Sequence, residues 1–433
     1  MTSAKRMAVW IAAGFVLAAI AWLRLDGFTR GTIWAEDGRD FLAGALHGDS
    51  VFRPYEGYTH VVPRILADLT VAVAPVPRYA VAMTALTIVV AAGIGLLVFG
   101  LTAELGISRG ARIALALLTV AAPALITEVS GNAANLHWLF LWLAPWLMLA
   151  RPATWLRSAL LAGVTFLAIT TEIQMLLFLP LLLVDVRNRR RWPLAAAALL
   201  GAAVQGVALL TSDREGQTEH PGVLSTLHGY ALEVGGGGWL TPISPLTAQV
   251  ADHGWWVAYA LLVPFAAAAV WLFATCPQLR VVVAALALGS VVSWAAGFTM
   301  NLGAAGHFAG ATPEQIRTIG SLRHAVVPSM FLLAIAVLAA DRLLARAGDA
   351  SLTRVRRGAG LVLAAALIVS TVLSLDGHGD SHRSAGPAWR AAVTEARLTC
   401  ERTQVESISI KTAPPDPRWT LPVSCRRLLA GGE

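Results

Sequence analysis

Residues 7–25 read MAVWIAAGFVLAAIAWLRL, and nine residues further on the chain reads Trp34-Ala35-Glu36-Asp37-Gly38. The first stretch, roughly 19 residues rising 1.5 Å each, can cross a hydrocarbon core of roughly 30 Å as a helix. Lys5 and Arg6 precede it and no small-residue cleavage site follows Arg24, so it reads as a retained anchor with its N-terminus inside. The second stretch puts two adjacent carboxylates just past that span. An unpaired charge near hydrocarbon costs roughly 2.5 to 3.5 kcal/mol on insertion scales, so this acidic pair is the first candidate for an active site.

Composition agrees with a chain built for lipid. Of 433 residues 56% are hydrophobic and 14% charged, with a mean hydropathy of +0.64. No water-facing shell can be made from that, and the expected fold is an all-α polytopic membrane protein. The net charge of +7 would point to nucleic acid in a soluble chain. Here cytoplasmic loops that collect Lys and Arg account for it, and no nucleic-acid partner is expected.

Further apolar runs lie at about 79–103, 111–128, 136–150, 158–170, 173–185, 194–211, 255–275, 279–298, 324–340 and 359–375, about eleven spans in all. Alternating connections then place Arg109, Arg112, Arg151, Arg157, Arg187, Arg189 to Arg191, Arg280, Arg342, Arg346, Arg354, Arg356 and Arg357 in the cytoplasm. The N-terminus is inside and the C-terminus outside. The stretch Ser158 to Val186 could be one tilted span, but Arg157 and Arg187 at its ends both want the same side. That favours a hairpin of two short helices turning at Thr170-Thr171-Glu172-Ile173-Gln174, its polar tip buried in protein or facing a wet cavity.

Residues 1–375 form the transmembrane domain on this reading, and 376–433 a small extracytoplasmic module. Cys400 and Cys425 both fall in the module. They can pair if it lies outside, whereas in a cytoplasmic tail they would stay free thiols. Ala388 to Glu401 looks helical and Val405 to Lys411 strand-like. Gly235 to Gly238 reads as a flexible stretch of an outer loop.

The first outer loop, 26–78, is the richest in polar groups. After the acidic pair come Arg39, Asp40, Tyr55, Tyr58, His60, Arg64 and Asp68, with Val61, Ile65, Leu69 and Val73 spaced as on an interfacial helix. Trp34, Tyr55 and Tyr58 suit an aromatic belt or sugar stacking. Adjacent carboxylates can tune one another into a general base or ligate a divalent cation; the plainer reading is a helix cap or a pair with Arg39. Glu128, Asn132, Asn135 and His137 flank another outer turn, and Glu172 stands at the hairpin tip. Singly each is a helix-end polar group. Together they describe an acid-lined cavity. Arg317, Arg323 and His324 run against the inside rule in the last outer loop, and an arginine there either grips phosphate or snorkels to headgroups. The outer stretch Thr211 to His253 holds Asp213, Arg214, Glu215, Glu219, His220, His228 and His253, a lid or acceptor-binding segment with no legible chemistry. Phosphate-binding loop, dinucleotide fingerprint, His-Glu-x-x-His and Gly-x-Ser-x-Gly patterns are all missing.

In these features the chain resembles the C superfamily of glycosyltransferases, integral membrane enzymes that take a sugar from a polyprenyl phosphate. In that superfamily an acidic pair stands in the first outer loop directly after the first span, where Glu36-Asp37 stands here. An amphipathic helix in that loop, short middle helices and a late outer arginine are shared as well, over about residues 1–375. Trp34-Ala35-Glu36-Asp37-Gly38 with Gly57-Tyr58 looks like bacterial members linked to envelope polysaccharide, and two lysines against 31 arginines point to a GC-rich bacterial source.

The resemblance implies an inverting transfer to an envelope glycan or glycolipid acceptor at the outer side of the bacterial inner membrane. Asp37 would be the base and Glu36 its orienting partner, the reverse assignment staying open. Arg323 with His324, Arg317 or Arg64 would hold the leaving phosphate, and Trp34, Arg39, Tyr55, Tyr58, His60, Glu128, Asn132, Asn135, His137 and Glu172 would line the substrate cavity. No obligatory metal is expected, although some members use a divalent cation. The rival classes are an envelope polysaccharide ligase or polymerase, whose chemistry centres on a large late loop, and a lipid-linked sugar flippase, which would carry charges inside its spans.

Overall fold

A computed structural model describes residues 3–212, 221–300, 307–345, 350–375, 382–403 and 405–430. Among them seven helices are long and apolar enough to cross a membrane: Ala4–Arg24, Val76–Leu105, Arg189–Thr211, Trp256–Thr275, Pro277–Met300, Arg323–Leu344 and Arg354–Leu373. The described strands form two small antiparallel hairpins, Pro54–Tyr55 with Tyr58–Thr59 and Ser407–Lys411 with Thr420–Ser424. This is the architecture of an all-helical polytopic membrane protein. At its centre run Leu136–Met148 and Val326–Leu344, apolar around nearly their whole circumference and buried accordingly.

The other four expected segments are shorter helices: Arg109–Ala121, Leu136–Met148, Trp155–Ile169 and Ile173–Leu183. The segment expected to reach residue 128 stops at Ala121 because Pro123 bars Ala122 from helical geometry. Residues Ile126 to Asn135 are thereby released as irregular backbone, tolerable at such depth only because it is packed inside protein.

The stretch Ser158 to Val186 does fold back on itself. Helix Trp155–Ile169 ends at buried Thr170, Thr171 and Glu172, and the tight helix Ile173–Leu183 returns. Both open ends meet the same segment: Ser158 Oγ donates to the Arg190 carbonyl, and the Arg191 guanidinium to the Leu181 carbonyl at 3.2 Å. The turn lies at the other end, where the Thr170 carbonyl accepts from Val61 N and Thr59 Oγ1 at 3.2 and 2.7 Å.

Two ends of the bundle can thus be told apart. At one, arginines gather and find local partners. Glu104 pairs with Arg157 at 3.3 Å, Asp185 with Arg151 at 3.4 Å, and Arg342 donates to the Gly106 carbonyl at 3.0 Å. At the other end stand the first loop and the tail. The tail helix Trp389–Thr403 is clipped to the hairpin and to Cys425–Ala430 by a Cys400–Cys425 disulfide.

The tail grips the first loop closely. Ala413 N donates to the Ile33 carbonyl at 2.8 Å, Trp389 N to Gly31 at 3.0 Å, and the Trp389 indole to Val76 at 2.7 Å. Arg383, 2% exposed, spends its guanidinium on the carbonyls of Thr32 and Gly131 and on Thr84 Oγ1 at 2.7–2.9 Å. Gly38 is the contact that a larger residue would spoil, since a Cβ there would stand 2.6 Å from Thr412.

Helix Val61–Val73 turns Val62, Leu66, Ala67 and Thr70 inward and leaves Ile65, Leu69 and Val73 exposed. An exposed apolar stripe of that kind suits a helix lying against lipid. Gly235 to Gly238, expected as a flexible loop, are instead buried in the helical turns Tyr230–Gly236 and Gly237–Trp239. Leu246 and Leu262 pack where side chains at Gly236 and Gly235 would be.

Candidate active site

The acidic pair sits at the start of a single wide helical turn, Asp37–Leu42, in which Ala43 N reaches back five residues to the Gly38 carbonyl. Successive side chains on a helical backbone diverge by roughly 100°, and here that rotation sends the two carboxylates to different surroundings. Asp37 points inward. Its carboxylate accepts from Ala133 N at 3.1 Å and Ala134 N at 2.7 Å. Those donors converge because Gly131 takes φ +66°, a left-handed bend that a side chain would strain. Burial pushes the Asp37 carboxyl up to about 7, against the pull of both N–H donors and Arg383.

Glu36 faces the other way, onto a cavity of about 660 Å³. Its Oε2 is buried without a hydrogen-bond partner among the described residues. Burial raises its carboxyl above the ordinary range; Arg323 opposes that shift, and Glu128 and Asp40 add to it. A carboxylate with raised proton affinity and an open lone pair can accept a proton from whatever the cavity holds.

The cavity gathers most of the residues expected from the sequence. The first loop contributes Glu36, Arg39, Tyr55, Tyr58 and His60, the irregular loop Asn135, the start of helix Leu136–Met148 His137, the hairpin Glu172, and the start of the other central helix Arg323 and His324. Arg323 Nη1 donates to Glu128 Oε1 at 3.1 Å, a pair that holds the guanidinium on the cavity wall. His137 Nδ1 pairs with Glu172, fixing the ring. His60 is buried against Tyr58, ring centroids 4.1 Å apart, and burial first, then His137 and Arg64, holds it well below the ordinary imidazole value, so it is neutral.

Other expected residues fall outside the cavity lining. Asp37 is one. Glu128 and Asn132 stand behind the wall, Glu128 on Arg323 and Asn132 Oδ1 accepting from Asn135 N at 3.2 Å. Trp34 is packed beneath the tail, bridged to Ala413. Arg64 donates to the Asp40 carbonyl at 3.3 Å and lies over the Phe41 ring. Arg317 is ion-paired with Asp252 at the surface, so a role on a buried phosphate is not what its position offers. Of the Thr211 to His253 stretch, residues 213–220 lie outside the described residues, while His228 stacks on Trp255 away from the cavity. Arg346 lies outside them too.

Three groups carry the site and were not legible. Arg418 and Trp419, on the turn between the tail strands, complete the cavity wall. Arg39 ties them in: its guanidinium lies 4.1 Å over the Trp419 ring and donates to Tyr55 Oη at 3.3 Å. Arg383 locks loop, tail and the Gly131 bend together. Nothing in the spacing of a tail residue announces a partner 351 positions earlier; the hint available was the turn-rich Pro414-Pro415-Asp416-Pro417, a turn that thrusts Arg418 and Trp419 forward.

Among the described residues no three His, Cys, Asp or Glu side chains come close enough to hold a metal ion together. In comparison with known proteins, no family model matches the sequence and no curated protein matches it.

Proposed function

We propose that the protein is an inverting glycosyltransferase of the C-superfamily type, which moves a sugar from a polyprenyl phosphate to a glycan or glycolipid acceptor at the outer side of a bacterial inner membrane. The observation that carries this reading is the pairing on one cavity wall of an unpartnered buried carboxylate oxygen, Glu36 Oε2, with the guanidinium of Arg323. One accepts a proton and the other receives an anion. Their place at the end of the apolar bundle opposite the arginine-rich segment ends supports an outward site, since those arginines belong in the cytoplasm under the positive-inside rule. The count of eleven spans belongs to the same proposal.

In this reaction the acceptor hydroxyl attacks the anomeric carbon from the face opposite the phosphate. Glu36 takes the hydroxyl proton as the new C–O bond forms, and the electron pair of the breaking bond leaves with the polyprenyl phosphate. Arg323, steadied by Glu128 and flanked by His324, stabilises the charge on that phosphate. Asp37 is a positioning residue: it holds the loop that carries Asn135 and leads into the helix that bears His137. The proposed step requires no metal.

Transfer of radiolabelled sugar from polyprenyl phosphate donors by the purified protein tests the reading. Glu36→Gln should lower transfer by about 10²–10⁴, while Asp37→Asn should leave a weakened enzyme of lower stability. Full activity in Glu36→Gln removes the base; transport of lipid-linked sugar without transfer removes the enzyme.

A further inference from the structure

Several buried polar atoms on the cavity wall have no hydrogen-bond partner among the described residues: Nε1 of Trp138, both ring nitrogens of His60, Oε1 of Gln174 and Oε2 of Glu36. Trp138 and His60 are 2% and 3% exposed, so neither is simply wetted by bulk solvent. A buried polar group left unpaired costs about 1–3 kcal/mol; such groups occur elsewhere in the molecule too, but here four residues that carry one share the wall of a single cavity.

The chemistry of the set says what it recognises. Trp138 Nε1 only donates and Gln174 Oε1 only accepts; Glu36 Oε2 accepts in the ionised form that a general base needs; His60 with a single ring proton offers one of each. An ammonium ligand would leave the indole and imidazole N–H groups unpaired. A carboxylate ligand would confront three acceptors. Hydroxyls both donate and accept, and satisfy the whole set. Between these atoms lie aromatic faces, with Tyr58 against His60 at 4.1 Å and His137 against Trp138 at 4.5 Å between centroids. C–H faces of a sugar ring pack on such surfaces. His137 Nδ1 is already taken by Glu172.

We propose that Glu36, His60, Trp138 and Gln174 form a subsite for an uncharged aldose ring, which grips its hydroxyl edge and leaves anion recognition to Arg323. The subsite rests on the cavity being the substrate site of the proposed transferase, but it names a property that the transferase reading leaves open: the transferred sugar carries neither an amino nor a carboxylate group.

Binding to the purified full-length protein, followed by its tryptophan fluorescence, tests it. The probes are inorganic phosphate and the 1-phosphates of glucose, galactose, mannose, glucosamine and glucuronic acid. At least one neutral hexose phosphate should bind about tenfold more tightly than inorganic phosphate, and about tenfold more tightly than the amino and uronic probes, one good hydrogen bond being worth roughly that factor. His60→Ala and, separately, Gln174→Leu should each erase about tenfold of that preference. Gln174 is half-buried, so its variant stays informative if His60→Ala does not fold. Equal binding of inorganic phosphate and every sugar phosphate, no binding of any probe, a preference for a charged sugar, or an unchanged preference in the variants overturns the subsite. The stated preference in a protein that transfers no sugar would keep the subsite and remove the transferase; transfer of a charged sugar would do the reverse.

Discussion

The two ends of the helical bundle solve the problem of polar groups near lipid in opposite ways. At the arginine end each named cation has a carboxylate or carbonyl within reach, as in Glu104 with Arg157 and Arg342 with Gly106. At the cavity end, Glu36, His60, Trp138 and Gln174 hold polar atoms buried and unmatched. Satisfied groups fix a fold; unsatisfied ones cost stability and persist where something else comes to satisfy them. The contrast is one of degree, since the Nε atoms of Arg191 and Arg342 at the arginine end are also buried without a partner among the described residues, and it makes the cavity end the candidate for function.

Substitutions can break that contrast. Glu36→Gln should lower transfer by about 10²–10⁴, the usual worth of a positioned general base, with thermal stability nearly unchanged, because Oε2 has no hydrogen-bond partner among the described residues. A large stability loss on measuring melting temperature would make Glu36 structural and erase the distinction. Asp37→Ala should do the opposite first, destabilising by about 2–4 kcal/mol as two N–H donors lose their acceptor. Chemical unfolding checks this.

Cys400→Ser with Cys425→Ser opens a closure over 25 positions and should cost about 3 kcal/mol. Limited proteolysis should then cut the tail first, and transfer should fall because Arg418 and Trp419 leave the wall.

The pH dependence has a definite sign. The Asp37 carboxyl lies at about 7 in the folded chain against an ordinary 3.8. Between those values the folded state binds more protons than the unfolded one, so stability is greatest below about 4, falls as pH rises and levels off beyond about 7. Glu233, pushed up to about 8 by burial, adds the same sign. His60, held neutral by burial, acts with the opposite sign below about 6.5, so melting temperatures should decline from about pH 6.5 to 8, and Asp37→Asn should flatten the decline while leaving the part due to Glu36 and Glu233. Smallest of all, Arg157→Ala at the arginine end should change stability by no more than about 0.5 kcal/mol and transfer not at all, as its ion pair is partly exposed.

How far the sequence foretells this depends on what each residue answers to. Spans follow from local hydropathy, and the fold-back at Thr170 to Gln174 follows from two arginines seeking one side. The acidic pair could be placed but not divided, because helical rotation and a distant Gly131 decide which carboxylate faces the cavity. Arg64 and Arg317 were plausible on charge alone and are drawn aside by Asp40 and Asp252. Pro123 was visible, yet its effect, the release of Glu128 to Asn135 as a buried loop, needs the packing that shelters it. Arg418 and Trp419 were hidden by distance along the chain.

Arg383 has a consequence in time as well as in space. Its hydrogen bonds to Thr32 and Gly131 span 351 and 252 positions, so they cannot form until Arg383 itself has been made. During synthesis the helices that precede it can insert one after another, while the loop that bears Glu36 waits for Arg383 to lock it. A product that stops short of Arg383 would reside in the membrane without that lock.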